Sequence, residues 1–226
     1  MGSSPNRGRK GAFSGPNDSA TLAMMLSRPS WLTLRTTSLL PVTFIPPSTL
    51  AACLSSAPGG PDIFVAKFSA SGTAVWAKRF GGTMNDQGFA LALDANDNIF
   101  LGAEFQGDAN FGGVALTSAA LSLDIALAKL SSAGATLWAK RQGGSDMDLV
   151  NALALDQAGD VIVTGQVMGA SDLGGGPTAG AGIFLAKYAG ADGGYRWGKV
   201  FGTIIDHVGF FQLQQRCLPG RGPHSR

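Results

Sequence analysis

Short antiparallel strands in an all-β fold are what this sequence predicts, on three observations. Glycine is abundant, at 33 of 226 residues. Charged residues make up only 14%, against about 25% in an ordinary soluble domain. Helical bundles need Glu, Lys and Arg on their surfaces, so this balance fits strands joined by tight turns instead. The third observation is an internal repeat, which governs how everything else is read.

The repeat opens on Asp62-Ile-Phe-Val-Ala-Lys67-Phe, which recurs as Asp124-Ile-Ala-Leu-Ala-Lys129-Leu and as Gly182-Ile-Phe-Leu-Ala-Lys187-Tyr. Each copy is followed by a tryptophan segment: Trp76-Ala-Lys78, Trp138-Ala-Lys140 and Trp197-Gly-Lys199. A glycine step comes next, at Gly81-Gly82, Gly143-Gly144 and Gly202, with one residue deleted in the third copy. An aspartate then appears at Asp86, Asp148 and Asp206. Ala90-Leu-Ala-Leu-Asp94 matches Ala152-Leu-Ala-Leu-Asp156, and Asn98-Ile-Phe-Leu matches Asp160-Val-Ile-Val. The repetitive region runs from about residue 54 to Phe210, after which the pattern stops.

Each period predicts four strands. Phe89–Asp94 alternates Phe and Leu with Ala, as a half-buried strand does. Ile99–Phe105 is apolar and β-favouring. The Asx-rich Asp94-Ala-Asn-Asp-Asn98 between them reads as a hairpin turn. Ile125–Leu130 and Thr136–Arg141 form the next hairpin, turned at Ser131-Ser-Ala-Gly134, where glycine can take positive φ. Gln106–Leu123 reads as a longer Gly- and Ala-rich loop, and Gly174-Gly-Gly176 as a linker or turn. Four antiparallel strands per repeat are the unit of a β-propeller. The phase gives an outer half-blade at 62–80, a blade at 88–141 and a blade at 149–201. The expected fold is therefore an incomplete β-propeller of about two and a half four-stranded antiparallel blades, with irregular N- and C-terminal flanks.

The motif D-I-F-V-A-K-F-x-x-x-G-x-x-x-W-A-K-R-F-G-G, followed by A-L-D-x-x-x-N-I-F-L, resembles the bacterial SBBP-type β-propeller repeat over residues 54–210. The resemblance implies blades whose inner hairpin is the A-L-D/N-I-F-L pair and whose outer hairpin is the D-I-F-V-A-K/W-A-K pair. It also implies a secreted or cell-envelope protein of bacterial type. Its motifs specify the repeat and no particular activity. Closed propellers need about four to eight blades. The short count is expected of a fragment of a longer protein, of head-to-tail assembly of copies, or of a break in the reading frame after Phe210, with the break favoured.

The flanks differ from the repeat in charge. Residues 62–210 carry nine Lys+Arg against fourteen Asp+Glu, while the basic residues dominate on both sides, for a net +2 overall. Residues 1–53 are expected to be irregular or disordered. Leu50-Ala-Ala-Cys53 has the form of a lipobox, which makes Cys53 a candidate lipidation site behind a leader starting at Met24 or Met25. Pro41, Pro46 and Pro47 interrupt the apolar stretch that would serve such a leader. The alternative is that Cys53 occupies the place of Ala115 in the repeat phase. A transmembrane span is excluded likewise, because the uncharged run 36–61 contains five prolines. Residues 211–226 form an irregular basic tail.

Few residues can carry chemistry. Asp94, Asn96 and Asn98 place oxygens at i, i+2 and i+4, a calcium-loop spacing, so they are the weak metal candidates. No bidentate Glu follows, and the equivalent Asp156-Gln-Ala-Gly-Asp160 lacks the middle ligand, so an Asx turn is the favoured reading. Asp86, Asp148 and Asp206 are expected to cap backbone amides between blades, with an acidic ring as the alternative. Lys67, Lys129 and Lys187, and Lys78, Lys140 and Lys199, fall at positions that alternation makes outward-facing, their stems laid over the tryptophans. A Trp–Lys platform for sugars or anions is the alternative. His207 is the lone histidine of the repeat region, and no phosphate-loop motif occurs. Two cysteines make no disulfide framework. The net charge gives no reason to expect nucleic acid. The expected function is a non-catalytic scaffold or interaction module without cofactors, with a protein or glycan partner or self-association through exposed blade faces. The alternatives are a glycan- or calcium-binding propeller, and a fragment of a propeller lyase or hydrolase whose active site lies elsewhere.

Overall fold

The computed structural model describes residues 60–69, 74–178 and 180–202, together with the backbone of Leu22–Leu26. These residues form three antiparallel sheets of four or five strands and no α-helix. The first sheet has the order β1-β2-β3-β6-β7, built from Leu22–Leu26, Ile63–Phe68, Ala74–Gly82, Asp108–Asn110 and Ala115–Thr117. The second has the order β12-β9-β8-β5-β4: Ser171–Asp172, Thr136–Gly144, Leu123–Leu130, Ile99–Gln106 and Asp86–Leu93. The third is β10-β11-β13-β14: Asp148–Leu155, Val161–Val167, Gly182–Tyr188 and Tyr195–Phe201.

The two hairpins predicted for each full repeat are present. In the second sheet β4 pairs with β5 (Leu93↔Ile99), β5 with β8 (Ile99↔Leu130) and β8 with β9 (Lys129↔Trp138). The third sheet repeats these pairings at Leu155↔Val161, Val161↔Tyr188 and Lys187↔Trp197. Of the two repeat hairpins, the described residues of the first sheet hold the outer one, with Lys67↔Trp76. Beside it, where β5 flanks β8 in the second sheet, stands β1, with Leu22 opposite Phe68 and Leu26 opposite Phe64. This strand comes from the segment expected to be irregular, and no repeat motif announces it.

Three local expectations need correction. Gln106–Leu123 is not only loop: it contains β6, β7 and a short 3₁₀ turn at Ala119–Leu121. In the first inner strand the large residue is not the buried one. Phe89 sits at a bulge and is exposed, while Ala90 is buried, because the register slips between Gly88 and Ala90. The same bulge falls at Asn151 in the third sheet, between Val150 and Ala152. The six lysines also do not share one outward face, as the inter-sheet contacts below show.

Two apolar layers lie between the sheets. The first joins Ile63, Val65 and Phe80 of the first sheet to Leu101, Ala103, Ala126, Ala128 and Leu130 of the second. The second joins Phe100, Ile125, Leu127 and Trp138 to Val161, Val163, Phe184, Ala186 and Tyr188 of the third. Small alanines on one face meet large side chains on the other, which lets the sheets approach closely.

Candidate functional site

The repeat's chemistry-bearing residues gather at the joints between sheets. The Gly-Gly step of β3 runs on past its own hairpin and pairs with β6, which belongs to the next repeat (Gly82↔Ala109). The step of β9 pairs in the same way with β12 (Gly144↔Ser171). A carboxylate closes each joint. Asp86, fully buried at the start of β4, accepts the Gly82 N–H at 2.7 Å, and Asp148, at the start of β10, accepts the Gly144 N–H at 2.6 Å. Glycine is required one residue earlier. Gly81 has φ +137° and Gly143 φ +139°, and a Cβ at Gly81 would lie 2.5 Å from the carboxyl oxygens of Asp62 and Asp86. Burial raises the pKa of Asp86 to about 6, against the pull of the Gly82 N–H, with the nearby Asp62 charge adding to the rise. Asp148 is raised for the same leading reason, opposed by hydrogen bonds from Ser171 and Gly144. Asp206 lies outside the described residues.

At the outer end of each joint a tryptophan and a lysine point across to the next sheet. Trp76 Nε1 and Lys67 Nζ both donate to the carbonyl of Ser132, in the β8–β9 turn, at 3.0 and 3.3 Å. Trp138 Nε1 and Lys129 Nζ both donate to the carbonyl of Gly190, in the β13–β14 turn, at 3.4 and 2.9 Å. The turn glycine seats the indole. A Cβ on Gly134 would come 3.0 Å from the Trp76 ring, and one on Gly193 2.9 Å from the Trp138 ring. Both glycines have positive φ, +82° and +71°, which the turn requires. Lys67 is therefore buried, and it also pairs with Asp97 at 3.5 Å. Lys129 pairs with Asp94 at 3.4 Å and lies 4.6 Å from the Phe100 ring centroid. These are bridging residues between sheets. Alternation within one hairpin shows only which face a residue is on, and this face is covered by the next sheet.

Glu104 was not singled out from the sequence, although it is the lone charged residue in the apolar run Ile99–Phe105. Its side chain is buried and accepts the Val150 N–H of the third sheet at 3.1 Å. Burial raises its pKa to about 7, outweighing that hydrogen bond.

The Asp94, Asn96 and Asn98 segment forms a tight turn. Asp94 Oδ1 accepts the N–H groups of Asn96 and Asn98, both at 2.9 Å, and Oδ2 accepts the Asn98 side-chain amide at 2.9 Å. Burial of Asp94 is outweighed by these hydrogen bonds and by Lys129, so its pKa falls. Asp156 repeats the turn, accepting from Ala158 and Asp160, and Lys187 lies 2.6 Å from Asp156 and 3.1 Å from Asp160. Among the described residues no three His, Cys, Asp or Glu side chains converge on one point as metal ligands. Gly174 and Gly176 donate their N–H groups to Asp172 Oδ1 at 2.7 and 2.9 Å, forming a closed loop. That loop borders a polar cleft of about 300 Å³ between the second and third sheets, with Lys140, Gln142, Gly193 and Tyr195 on its walls. Among the described residues no helix is long and apolar enough to cross a membrane. Cys53 and His207 lie outside the described residues.

The third sheet carries the same residues with nothing described beyond them. Trp197 is 39% exposed, where Trp138 is 7%. Phe201 is 52% exposed, where its counterparts Phe80 and Gln142 are 1% and 6%. Ile183 and Leu185 are half-buried, where Ile125 and Leu127 are buried. The chain matches no protein-family model and no curated protein.

Proposed function

We propose that this chain is a non-catalytic scaffold or interaction module, part of a secreted or cell-envelope protein of the SBBP-type β-propeller repeat class. The observation that carries the reading is the use made of the recurring polar residues. Asp86, Asp148, Lys67, Lys129, Trp76 and Trp138 all bond backbone groups of a neighbouring sheet. Residues bound to backbone in this way hold sheets together and are not poised to bind or turn over a ligand. The propeller assignment rests on the four-stranded repeat unit, on its side-by-side stacking, and on the motif resemblance. The extracellular or envelope setting rests on that resemblance, with Cys53 as the proposed lipid attachment point.

A calcium titration tests the reading against its ligand-binding alternative. Both Asp94 oxygens already accept hydrogen bonds from their own turn. Millimolar calcium is therefore expected to leave the melting temperature unchanged. A calcium-dependent rise that vanishes in Asp94→Ala would overturn the scaffold reading in favour of a metal-binding one.

A further inference from the structure

The cleft between the second and third sheets lies where the repeat is broken. At the same place in the first joint, Phe80 stacks on Phe111 at 6.1 Å, and a Cβ on Gly112 would lie 3.3 Å from the Phe80 ring. In the second joint Gln142 stands for Phe80, Leu173 for Phe111 and Tyr195 for Thr136. The aromatic pair is gone, and a polar cleft of about 300 Å³ stands there. Gln142 lines it and is 6% exposed, with Oε1 3.3 Å from where a Cβ on Gly174 would stand. Its side-chain amide has no hydrogen-bond partner among the described residues, although buried polar groups normally have one.

The other walls offer complementary groups. Lys140 lays its stem over Gly193, where a Cβ would come 3.1 Å from Lys140 Cγ, and its ammonium makes no ion pair among the described residues. Asp172 has Oδ1 taken by the N–H groups of Gly174 and Gly176, while Oδ2 accepts nothing among the described residues. Tyr195 is held edge-on to Tyr188 at 6.0 Å, and Tyr188 is itself tied to the Leu173 carbonyl at 2.8 Å. The exposed Tyr195 ring thus presents a fixed apolar surface beside a hydroxyl.

We propose that this cleft binds one acidic sugar ring, a hexuronate, with its carboxylate on Lys140 and its hydroxyls on Gln142 and Asp172. Hydroxyls need donors and acceptors side by side, which the amide and the carboxylate supply. The lining carries two cations, Lys140 and Arg141, against one carboxylate, Asp172, within a repeat region that is acidic overall. Arg141 is already held by Asp124, so Lys140 is the cation left to meet a ligand carboxylate. The volume is at the small end of the range for ligand clefts, about 300–1,000 Å³, which suits a single ring. The inference rests on the interaction-module reading and deepens it by naming a ligand. It uses side chains other than the aspartates, lysines and tryptophans that tie the sheets together.

An NMR titration of the full chain with sodium glucuronate tests it, with glucose and sodium acetate at matched ionic strength as the other arms. Saturable shifts of the Gln142 side-chain amide and the Tyr195 ring are expected with glucuronate. Glucose is expected to bind about tenfold more weakly, as is glucuronate to Lys140→Ala, since each loses one charge-assisted hydrogen bond. Gln142→Phe restores the residue of the first joint and should abolish binding. Lys140 is exposed, so its variant should keep the parent melting transition and guards against a folding defect in the other. No saturable shift, glucose bound as tightly, acetate moving the same resonances equally, or binding unchanged in both variants would overturn the proposal. None of those results touches the scaffold reading, which answers to the calcium experiment.

Discussion

At the first joint Asp86 holds Gly82 with one carboxyl oxygen, and its other oxygen, Oδ1, is buried with no hydrogen-bond partner. At the second joint Asp148 holds Gly144 with one oxygen, and the other accepts from the Ser171 hydroxyl at 2.5 Å. The backbone plan is the same, and the difference is one side chain. Ala109 stands opposite Gly82 in the first joint where Ser171 stands opposite Gly144 in the second. The apolar fill differs as well. The first joint stacks Phe80 on Phe111 at 6.1 Å, with Phe105 edge-on to Phe111. The second sets Phe100 edge-on to Trp138 at 6.0 Å and places Gln142 where Phe80 stands. The repeat fixes where groups meet, and single residues decide whether each meeting is satisfied.

The largest expected effect comes from taking one residue type at the second joint and on the far face of the third sheet. Trp138→Ala removes a buried indole, its edge contact with Phe100 and its hydrogen bond to Gly190. A loss of about 3–5 kcal/mol is expected, the range for truncating a buried aromatic. Trp197→Ala, at a partly exposed position, should cost the isolated chain less than about 1 kcal/mol. Urea denaturation at low protein concentration compares the two. Equal losses would mean that the third face is already covered within a single chain.

A smaller effect follows from Glu104. Its folded-state pKa, about 7, lies above its ordinary value of 4.5. The folded state therefore binds more protons than the unfolded state between those values. Its contribution is fully present below about pH 4.5 and is lost as pH rises towards 7. The span corresponds to about 3 kcal/mol. Asp86 adds a loss of the same sign between its ordinary 3.8 and about 6. Glu104→Gln removes the first contribution, since the amide carbonyl can still accept the Val150 N–H without charge. Melting curves should fall from pH 4.5 to 7.5 in the parent chain and fall less steeply in the variant. Parallel curves would show that Glu104 keeps an ordinary pKa.

How far the sequence foretold these joints depends on the distance between partners along the chain. Hairpins were legible because their signals are local: Asp94–Asn98 and Ser131–Gly134 carry turn residues between apolar runs. The Lys67 bridge was not, because its partner carbonyl is at Ser132, 65 residues on. The cross-joint strands β6 and β12 are three and two residues long, too short for any alternation to reveal. Glu104 had a readable signal, one acid inside an apolar strand, and buried acids need partners. The aspartates after the glycine step were expected to cap amides between blades. The geometry of Asp86 and Asp148 has that form, while the choice of Ser171 as second partner depends on packing across two repeats.

The smallest effect is the most direct test of the comparison between joints. Ala109→Ser places a hydroxyl at the position that Ser171 occupies in the second joint. Ala109 is buried on a short strand paired with the glycine step just as Ser171 is, so the added Oγ faces the Asp86 carboxyl. A hydrogen bond to the bare Oδ1 is expected to stabilise the chain by about 1 kcal/mol, a typical net value for one such bond. The same bond favours the ionised carboxylate, so the Asp86 part of the pH dependence should shrink as well. In an Asp86→Ala background the serine should bring no gain, and this double-mutant cycle separates the bond from a general effect of the hydroxyl. A gain that survives without Asp86 would mean that the two joints differ for another reason than the missing donor.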